Sequence, residues 1–343
     1  MKSCYFMLFS FLLFLNTGCI SQKKQEYTGY LFAYFEGKAE GRMSQEQLRF
    51  AVSSDAVSWK ALNNNEPVVS SEVISKSGGI RDPHLLRCEN GKTFYIVATD
   101  MSTATNGWKE NPGITMLRSD DLINWTHSII DFPTRYPEKF GNAYWVWAPQ
   151  TIYDPKAGKY LVYFTIKYKD DDKLDFYGAY ANEDFTAFES EPFLLFSPKY
   201  GGIDADIIPK NGKYHFFYKG NTKNEEGKEV NNGIQQAIGT SLQGPWVEDF
   251  VYLDPYAGTN TNVEGSSVFR LNNSDEYILM YDLYGRGRYE FQRSTDLFQF
   301  TEKPESFTKD FYPRHGSVMS ITRKEAKILN GKWGGVPEEL LKE

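Results

Sequence analysis

The sequence predicts an all-β fold, a five-bladed β-propeller whose ring is closed by a C-terminal strand. The first observation behind this prediction is a repeated segment: a short alternating strand, a polar turn and an aromatic residue recur five times. The second is that an apolar, β-rich run precedes each of these segments. The third is that the first unit lacks one strand, which the end of the chain can supply. Radial repetition of four-stranded sheets is typical of a propeller.

The aromatic residues set the period of the repeat. They are spaced 66, 63, 58 and 54 residues apart, at Trp59, Trp125, Phe188, Trp246 and Phe300. Before the apolar runs, such as FYIVATD and YLVYFTI, a further strand ends in a turn such as ENGK or KNGK, which is hairpin chemistry. Each unit therefore contains an inner, a second and a third strand, then a turn and an aromatic-bearing fourth strand. A linear β-solenoid is the alternative, and the four-strand period with a closing strand favours the propeller.

The missing inner strand of the first unit is assigned to residues 314–326, RHGSVMSITRKEA, which would pair with the N-terminal run YLFAYFEG. We predict a signal peptide over residues 1–18, a tether over 19–27 and one five-bladed domain over 28–343. The C-terminal letters KWGGVPEELLKE predict a capping turn and a helix.

Composition restricts the function. The net charge is −7, so the basic footprint of a nucleic-acid-binding protein is missing and no nucleic-acid partner is expected. Aromatic residues make up 16% of the chain, which suits stacking on neutral, hydroxyl-rich ligands, although all-β cores are also rich in aromatic residues. We expect a carbohydrate substrate and a monomeric protein.

The N-terminus has the pattern of an export signal. Lys2 is followed by an apolar run of 11 residues, Tyr5–Leu15, which is too short to span a bilayer but suits a signal peptide. The letters TGC that follow resemble a bacterial lipoprotein signal in which Cys19 becomes lipidated, with Asn16 as a departure. This predicts an exported lipoprotein, anchored to a membrane and periplasmic or on the cell surface, with ordinary secretion as the alternative. Cys88 then stands alone and is expected to be buried.

Carboxylates recur where the predicted inner strands begin. Asp82 opens the second inner strand, Asp204 the fourth, with Asp206 close by, and Glu264 the fifth, while the closing strand brings His315. Because inner strands line the channel of a propeller, we expect these side chains at one mouth. Several acids in one cavity are costly unless their pKa values split, which is what acid–base catalysis uses.

The motifs RDPHL, WAPQ, IDADI, VEGSSV and RHGSV, in this order and together with SLQGPW, resemble glycoside hydrolase family 43. The resemblance covers nearly the whole mature chain and implies a five-bladed propeller that hydrolyses β-xylosidic or α-L-arabinofuranosidic links of plant pentose polysaccharides or oligosaccharides with inversion. It implies that Asp82 is the general base, Asp204 the pKa modulator and orienter, and Glu264 the general acid. Ala205 and Ser266 depart from the family pattern, in which proline is common, and could reshape the pocket.

Further side chains are candidates for ligand contacts. Trp147 and Trp108 are predicted to contact the sugar, with packing between blades as the alternative for Trp147. Arg288 could reach the substrate from the fifth blade, although a surface role is common for an arginine in a glycine-rich turn. The resemblance implies that His315 helps to hold a central cation, often calcium, through its waters, and a structural hydrogen bond is the alternative. No cofactor is required for the reaction.

Three rival functions remain open. A five-bladed fructosidase-type hydrolase also uses Arg-Asp-Pro, but it needs a nucleophilic aspartate one blade earlier, where the sequence offers only Glu36 and His315. A galactosidase-type hydrolase is the second rival. The third is a non-catalytic sugar-binding propeller lipoprotein, which the retention of all three acids disfavours.

Overall fold

The computed structural model describes residues 25–37, 42–223, 229–259 and 261–342, so the predicted signal peptide and Cys19 lie outside the described residues. In chain order, the strands are β1 (Gly29–Glu36), β2 (Arg49–Ser53), β3 (Ser58–Ala61), β4 (Ile80–Arg87), β5 (Phe94–Asp100), β6 (Gly113–Ser119), β7 (Thr126–Asp131), β8 (Ala143–Asp154), β9 (Lys159–Tyr168), β10 (Asp171–Tyr180), β11 (Phe193–Phe196), β12 (Gly202–Lys210), β13 (Lys213–Lys223), β14 (Glu229–Gly239), β15 (Val247–Glu248), β16 (Glu264–Arg270), β17 (Tyr277–Leu283), β18 (Arg288–Ser294), β19 (Glu305–Ser306), β20 (Thr308–Lys309) and β21 (Pro313–Ile321).

Helices are few and short. They are α1 (Arg42–Gln45), α2 (Ser71–Ile74), α3 (Thr103–Asn106), α4 (Phe132–Arg135), α5 (Pro137–Phe140) and α6 (Arg323–Trp333), with 3₁₀ turns at Asn63–Asn65 and Glu338–Leu340. Within the described part of the chain, none of these helices is long and apolar enough to cross a membrane.

The strands form five sheets, which are the blades of the predicted propeller. Blades two to five contain β4–β7, β8–β11, β12–β15 and β16–β19, each in sequential order from the inner to the outer strand. The first blade has the order β20-β3-β2-β1-β21. The all-β, five-bladed prediction is therefore confirmed.

The ring closes as the sequence predicts. Strand β21 pairs antiparallel with β1 from Gly29 opposite Ile321 to Glu36 opposite Pro313, so both ends of the domain share one sheet. The closing strand is shorter than expected because Thr322 begins α6 with a capping box, its hydroxyl accepting from the Glu325 N–H. No sequence pattern predicts β20, which pairs parallel to β3.

The repeated aromatic residues pack between neighbouring blades. Trp125 contacts Phe50 of the first blade at a ring-centroid distance of 6.4 Å, and Trp246 shares an apolar cluster with Tyr163 of the third blade. Of the five aromatic residues, only Trp59 lies within the fourth strand of its unit, and the other four precede that strand. The prediction that the fourth strand carries the aromatic residue is therefore wrong for four units. Burial of large rings between sheets supplies much of the apolar stabilisation of such a fold.

Every inner strand contains a β-bulge close to the same mouth of the channel. In β4, β8, β12 and β16 two residues stand opposite one residue of the second strand, and in β21 His315 is the extra residue. Asp82, Ala148 and Asp204 have φ values of 53°, 46° and 57° at these bulges. Side chains normally alternate across a strand. A bulge interrupts that alternation, so two successive side chains of each inner strand can face the mouth.

Candidate active site

The bulges arrange two rings of side chains around the channel. The lower ring consists of the bulged residues, which are Asp82, Ala148, Asp204, Gly265 and His315. The upper ring consists of the residues that precede them, which are Arg81, Trp147, Ile203, Glu264 and Arg314. The sequence-based expectation that three acids occupy equivalent places is therefore wrong for Glu264, which stands one residue earlier than Asp82 and Asp204 on their strands.

Glycine explains this offset. Gly265 holds the bulge position of the fifth blade with a φ of 68°, and a Cβ atom there would lie 2.5 Å from His315 Cδ2. The lower ring has room for the imidazole of His315 only because the fifth blade contributes no side chain at that point. The carboxyl group of that blade must therefore come from Glu264 in the upper ring.

His315 lies at the centre of the acids. Its Nδ1 is 3.1 Å from Asp82 Oδ1 and 3.5 Å from Asp204 Oδ2, and its Nε2 is 3.0 Å from Glu264 Oε1. Neither nitrogen has a well-aligned hydrogen bond, so these contacts are chiefly ionic. Burial alone would lower the pKa of His315, but the carboxylates of Asp204 and Glu264 outweigh it and raise the pKa well above its ordinary value. The ring is an imidazolium at neutral pH.

Asp82 is held as a carboxylate. Burial favours its neutral form, yet the pKa of Asp82 is lowered because contact with His315 and the charge of Arg81 outweigh burial. The hydroxyl of Thr99 also donates to Asp82 Oδ2 at 2.8 Å. An ionised, buried carboxylate that opens onto a pocket is suited to accepting a proton from water.

Asp204 has the opposite tendency. Burial raises its pKa to about 6, with the charges of Glu264 and Asp82 adding to the rise and His315 opposing it. Its Oδ2 accepts the backbone N–H of Gly265 at 2.8 Å. Asp204 can therefore carry a proton at slightly acidic pH, which the neighbouring Asp82 cannot.

Glu264 differs from its predicted state. The general-acid role that the resemblance implies requires a protonated Glu264, whereas the pKa of Glu264 is lowered to about 2. Burial opposes this change, but the positive charges of His315, Lys219 and Arg314 outweigh burial. Arg314 Nη2 is 2.7 Å from Glu264 Oε1, and its Nε contacts the buried Asp282. In the ligand-free site Asp204 therefore takes up a proton at a higher pH than Glu264 does.

Two of the three predicted sugar-contact residues lie at the same site. A pocket of about 60 Å³ adjoins the acids and is lined by Arg81, Asp82, Met101, Trp108, Trp147, Ile203, Asp204, Glu264 and His315. Trp147 stacks on Trp145 with a centroid distance of 4.0 Å, and its indole N–H donates to Asn111 Oδ1. Trp108 is 59% exposed at the pocket edge. The rings therefore stand beside the carboxylates, with the indole plane of Trp147 fixed.

Arg288 does not join them. Its guanidinium pairs with the buried carboxylate of Glu290 and more than half of its side chain is exposed, so the prediction that it reaches the pocket fails in this structure. Asp206 also lies elsewhere: with His84, it lines a cavity of about 520 Å³ at the opposite mouth of the channel. The bulge separates Asp206 from Asp204 although they are two residues apart in sequence.

The sequence did not reveal the groups that hold the acids in place. Thr99 and Asp282 lie on second strands, where only the register brings them to Asp82 and Glu264. For Arg314 the sequence does contain a signal, because this residue directly precedes His315 on the closing strand. Cys88 is buried and unpaired, as expected.

A cation could approach Asp204, Glu264 and His315, whose ligand atoms all lie within 4.8 Å of one another. These residues fit calcium poorly, because that ion prefers six to eight oxygen ligands. His315 offers nitrogen instead and carries a positive charge, which repels a cation.

Comparison with known proteins agrees with the geometry. A family model described as "Probable glycosyl hydrolase domain", of the family related to glycoside hydrolase family 43, matches residues 25–327. The chain belongs to this glycoside hydrolase family.

A curated relative and two solved structures show the range of similarity. An α-L-arabinofuranosidase of Bifidobacterium longum is 26% identical over 91% of this chain, which spans only 32% of that longer protein. An endo-1,4-β-xylanase of Bacteroides thetaiotaomicron has a TM-score of 0.56 at 15% identity, covering 83% of this chain and 93% of its own. An α-L-arabinanase of Cellvibrio cellulosa, solved with arabinohexaose, has a TM-score of 0.54 at 15% identity, covering 78% and 89%. These structural likenesses show the shared fold.

Proposed function

We propose that this protein is an inverting glycoside hydrolase that cleaves β-xylosidic or α-L-arabinofuranosidic links in plant pentose polysaccharides or oligosaccharides. The observation that carries the proposal is the convergence of Asp82, Asp204 and Glu264, from three blades, on one aromatic-lined pocket. The relatives, which are named as an arabinofuranosidase, a xylanase and an arabinanase, support a pentose substrate.

In this mechanism Asp82 activates water. Its carboxylate is ionised and adjoins a small cavity of about 10 Å³, the size of one water molecule, which Gln150 and His315 also line. The water attacks the anomeric carbon of a sugar in the pocket, and Asp82 accepts its proton. The new C–O bond forms on the face opposite to the departing oxygen, so the configuration inverts.

The leaving oxygen must receive a proton from the other side, and Glu264 is the general acid in this proposal. Because its pKa is low in the ligand-free site, Glu264 must first gain a proton. Asp204, with a pKa of about 6 and an oxygen within 4.8 Å of Glu264, is the neighbouring group that can supply it. This assigns Asp204 a more active role than orientation alone.

The carboxyl separation is compatible with inversion. One imidazole ring lies between Asp82 and Glu264, in contact with an oxygen of each at 3.1 and 3.0 Å. Those oxygens are therefore at most roughly 8 Å apart, which is compatible with the range of about 6.5–9.5 Å for inverting enzymes.

A panel of aryl glycosides tests this function: β-xyloside, α-L-arabinofuranoside and β-galactoside, followed by branched arabinan and arabinoxylan. We expect cleavage of a pentoside, loss of most activity in Asp82→Ala, and an inverted anomer as the first product seen by proton NMR. A retained anomer would contradict the mechanism, since retention requires a covalent intermediate. Preference for the β-galactoside would instead support the galactosidase-type alternative, for which a family β-1,3-galactosidase with a TM-score of 0.56 is a structural precedent.

The protein is also proposed to be an exported lipoprotein that Cys19 anchors to a membrane, as a monomer. The support for this proposal is the N-terminal sequence pattern alone. A single lipidated residue followed by a tether would hold the propeller near a membrane surface, in the periplasm or outside the cell. The proposed reaction requires no cofactor, and the residues in the channel fit calcium poorly.

A further inference from the structure

One wall of the pocket is held by an acid from outside the catalytic constellation. Glu46 lies between α1 and β2 of the first blade and is 3% exposed. Its Oε1 accepts from Arg81 Nη1 at 3.0 Å and from the Thr103 hydroxyl at 2.6 Å, and its Oε2 accepts the Thr103 N–H at 2.7 Å. One carboxylate thus binds two separate parts of the second blade, the start of β4 and the start of α3.

Both parts end in the pocket. Arg81 is in the upper ring, with its guanidinium carbon 4.6 Å from the ring centroid of Phe35 and 5.1 Å from that of Trp108. The loop that α3 begins carries Trp108, whose ring meets Trp147 edge-on at a centroid distance of 6.4 Å. Phe35, Arg81, Trp108 and Trp147 therefore form a continuous surface, here called the Trp108 wall.

The wall needs an external support. Trp108 is mostly exposed and so has little packing of its own. An arginine side chain has many rotamers, and ordering it when sugar binds would cost affinity unless it is already fixed. Glu46 supplies this fixation through a buried ion pair, and it also holds the first turn of the loop.

We propose that Glu46 is a positioning residue for sugar binding, because it fixes Arg81 and the Trp108 loop as one preformed wall of the pocket. The inference rests on the proposed glycosidase function. Glu46 contacts the wall and not the reacting atoms, so it acts on binding. Asp82, Asp204 and Glu264 are held by other groups, which are Thr99, the Gly265 N–H and Arg314 respectively.

The test measures kcat and KM of Glu46→Gln and Glu46→Ala on the aryl pentoside that the wild type cleaves best. We expect KM to rise about tenfold in Glu46→Ala and less in Glu46→Gln, which retains one acceptor oxygen, while kcat changes less than about threefold. The matched control is Glu325→Ala, which breaks another buried arginine pair, with Arg87, on the side of the second blade away from the pocket. This control should lose thermal stability without a rise in KM.

A double-mutant cycle with Trp108→Ala separates positioning from general destabilisation. If both residues act through the same wall, the rise in KM of the double variant should be smaller than the product of the two single effects. Additive effects, a loss in kcat without a change in KM, or a KM equal to that of the control would each overturn the inference. If both Glu46 variants fail to fold, Thr103→Val replaces them, because it removes one hydrogen bond to Glu46. It should raise KM only when Trp108 is present, and an unchanged KM would overturn the inference.

The same series distinguishes this inference from the proposed function. A wild-type protein that cleaves no glycoside would refute the function itself. A wild-type protein that is active, with Glu46 variants that behave like the control, would refute only the role of Glu46.

Discussion

The buried carboxyl group of Asp206 makes a measurable prediction about stability. Asp206 lines the cavity at the channel mouth opposite to Asp82 and Asp204, and its Oδ2 accepts the Val268 N–H at 2.6 Å. Burial raises its pKa to about 7, although backbone and side-chain hydrogen bonds partly oppose the rise. Asp206→Asn keeps the shape and one acceptor oxygen but removes the titration. We predict that this variant is more stable than the wild type at pH 8.

The sign follows from proton binding. In the unfolded chain an aspartate loses its proton near pH 4, whereas folded Asp206 keeps its proton until about pH 7. Between these values the folded state binds more protons, so the free energy of unfolding falls as the pH rises. The full pKa difference corresponds to an upper limit of roughly 4 kcal/mol, and we expect a gain of about 1–3 kcal/mol once the interior relaxes around the charge.

The assay is urea unfolding of both proteins, followed by fluorescence, at pH 4, 6 and 8. The free energy of unfolding of the wild type should approach or exceed that of Asp206→Asn at pH 4 and should be lower than it at pH 8. Because Asp206 lies at the mouth opposite to the acids, the activity of Asp206→Asn should stay within a few-fold of that of the wild type. A stability difference that does not change with pH, or a less stable variant at pH 8, would refute the assignment of a raised pKa to Asp206.

Four further predictions follow from the same structure. Glu264→Gln should retain more activity on an activated aryl glycoside than on a natural oligosaccharide, since a good leaving group needs little protonation. A general acid contributes roughly 10²–10⁴-fold to the rate, which is the loss expected on the oligosaccharide. Equal losses on both substrates would contradict the role of Glu264. Asp204→Asn should remove a pH-rate inflection near pH 6, the pKa that burial gives this group, and an unchanged inflection would assign it elsewhere. Deletion of residues 314–343 should open the ring and expose sheet edges, which size-exclusion chromatography would detect as aggregation, and a stable monomer would contradict closure. Cys19→Ala should abolish labelling by a fed fatty acid and release the protein from membranes, whereas an unlabelled wild type would contradict anchoring.

Much of the fold could be predicted because the same local pattern recurs five times along the sequence. Hairpin turns and apolar runs at regular spacing identified the blades, and the unpaired first unit identified β21 as the closing strand. The short strand β20 could not be foreseen, since a two-residue pairing leaves no periodic signal. The position of Trp125 before β7, and not within it, likewise depends on how the turn meets the neighbouring blade.

The site could be predicted from the sequence only where an acidic residue stands at the start of a predicted inner strand. Asp82 and Asp204 stand at strand starts, so their meeting follows from the topology. Glu46 and Asp282 belong to no motif, and their contacts arise from the register of other strands and from a turn in the first blade. The low pKa of Glu264 was also beyond sequence reasoning, because it depends on three cations that only the folded ring brings together.

The departure of one blade from the repeat is what gives the site its chemistry. Had all inner strands placed an acid at the bulge, the lower ring would hold only like charges, which would suppress their ionisation. The fifth blade has Gly265 there instead, and the space admits the imidazolium of His315 between the acids. Any side chain at Gly265 would collide with this ring and also strain a backbone with positive φ. Displacing His315 would leave Asp82 without its principal cationic partner, so the ionised state of Asp82 depends on a glycine from another blade.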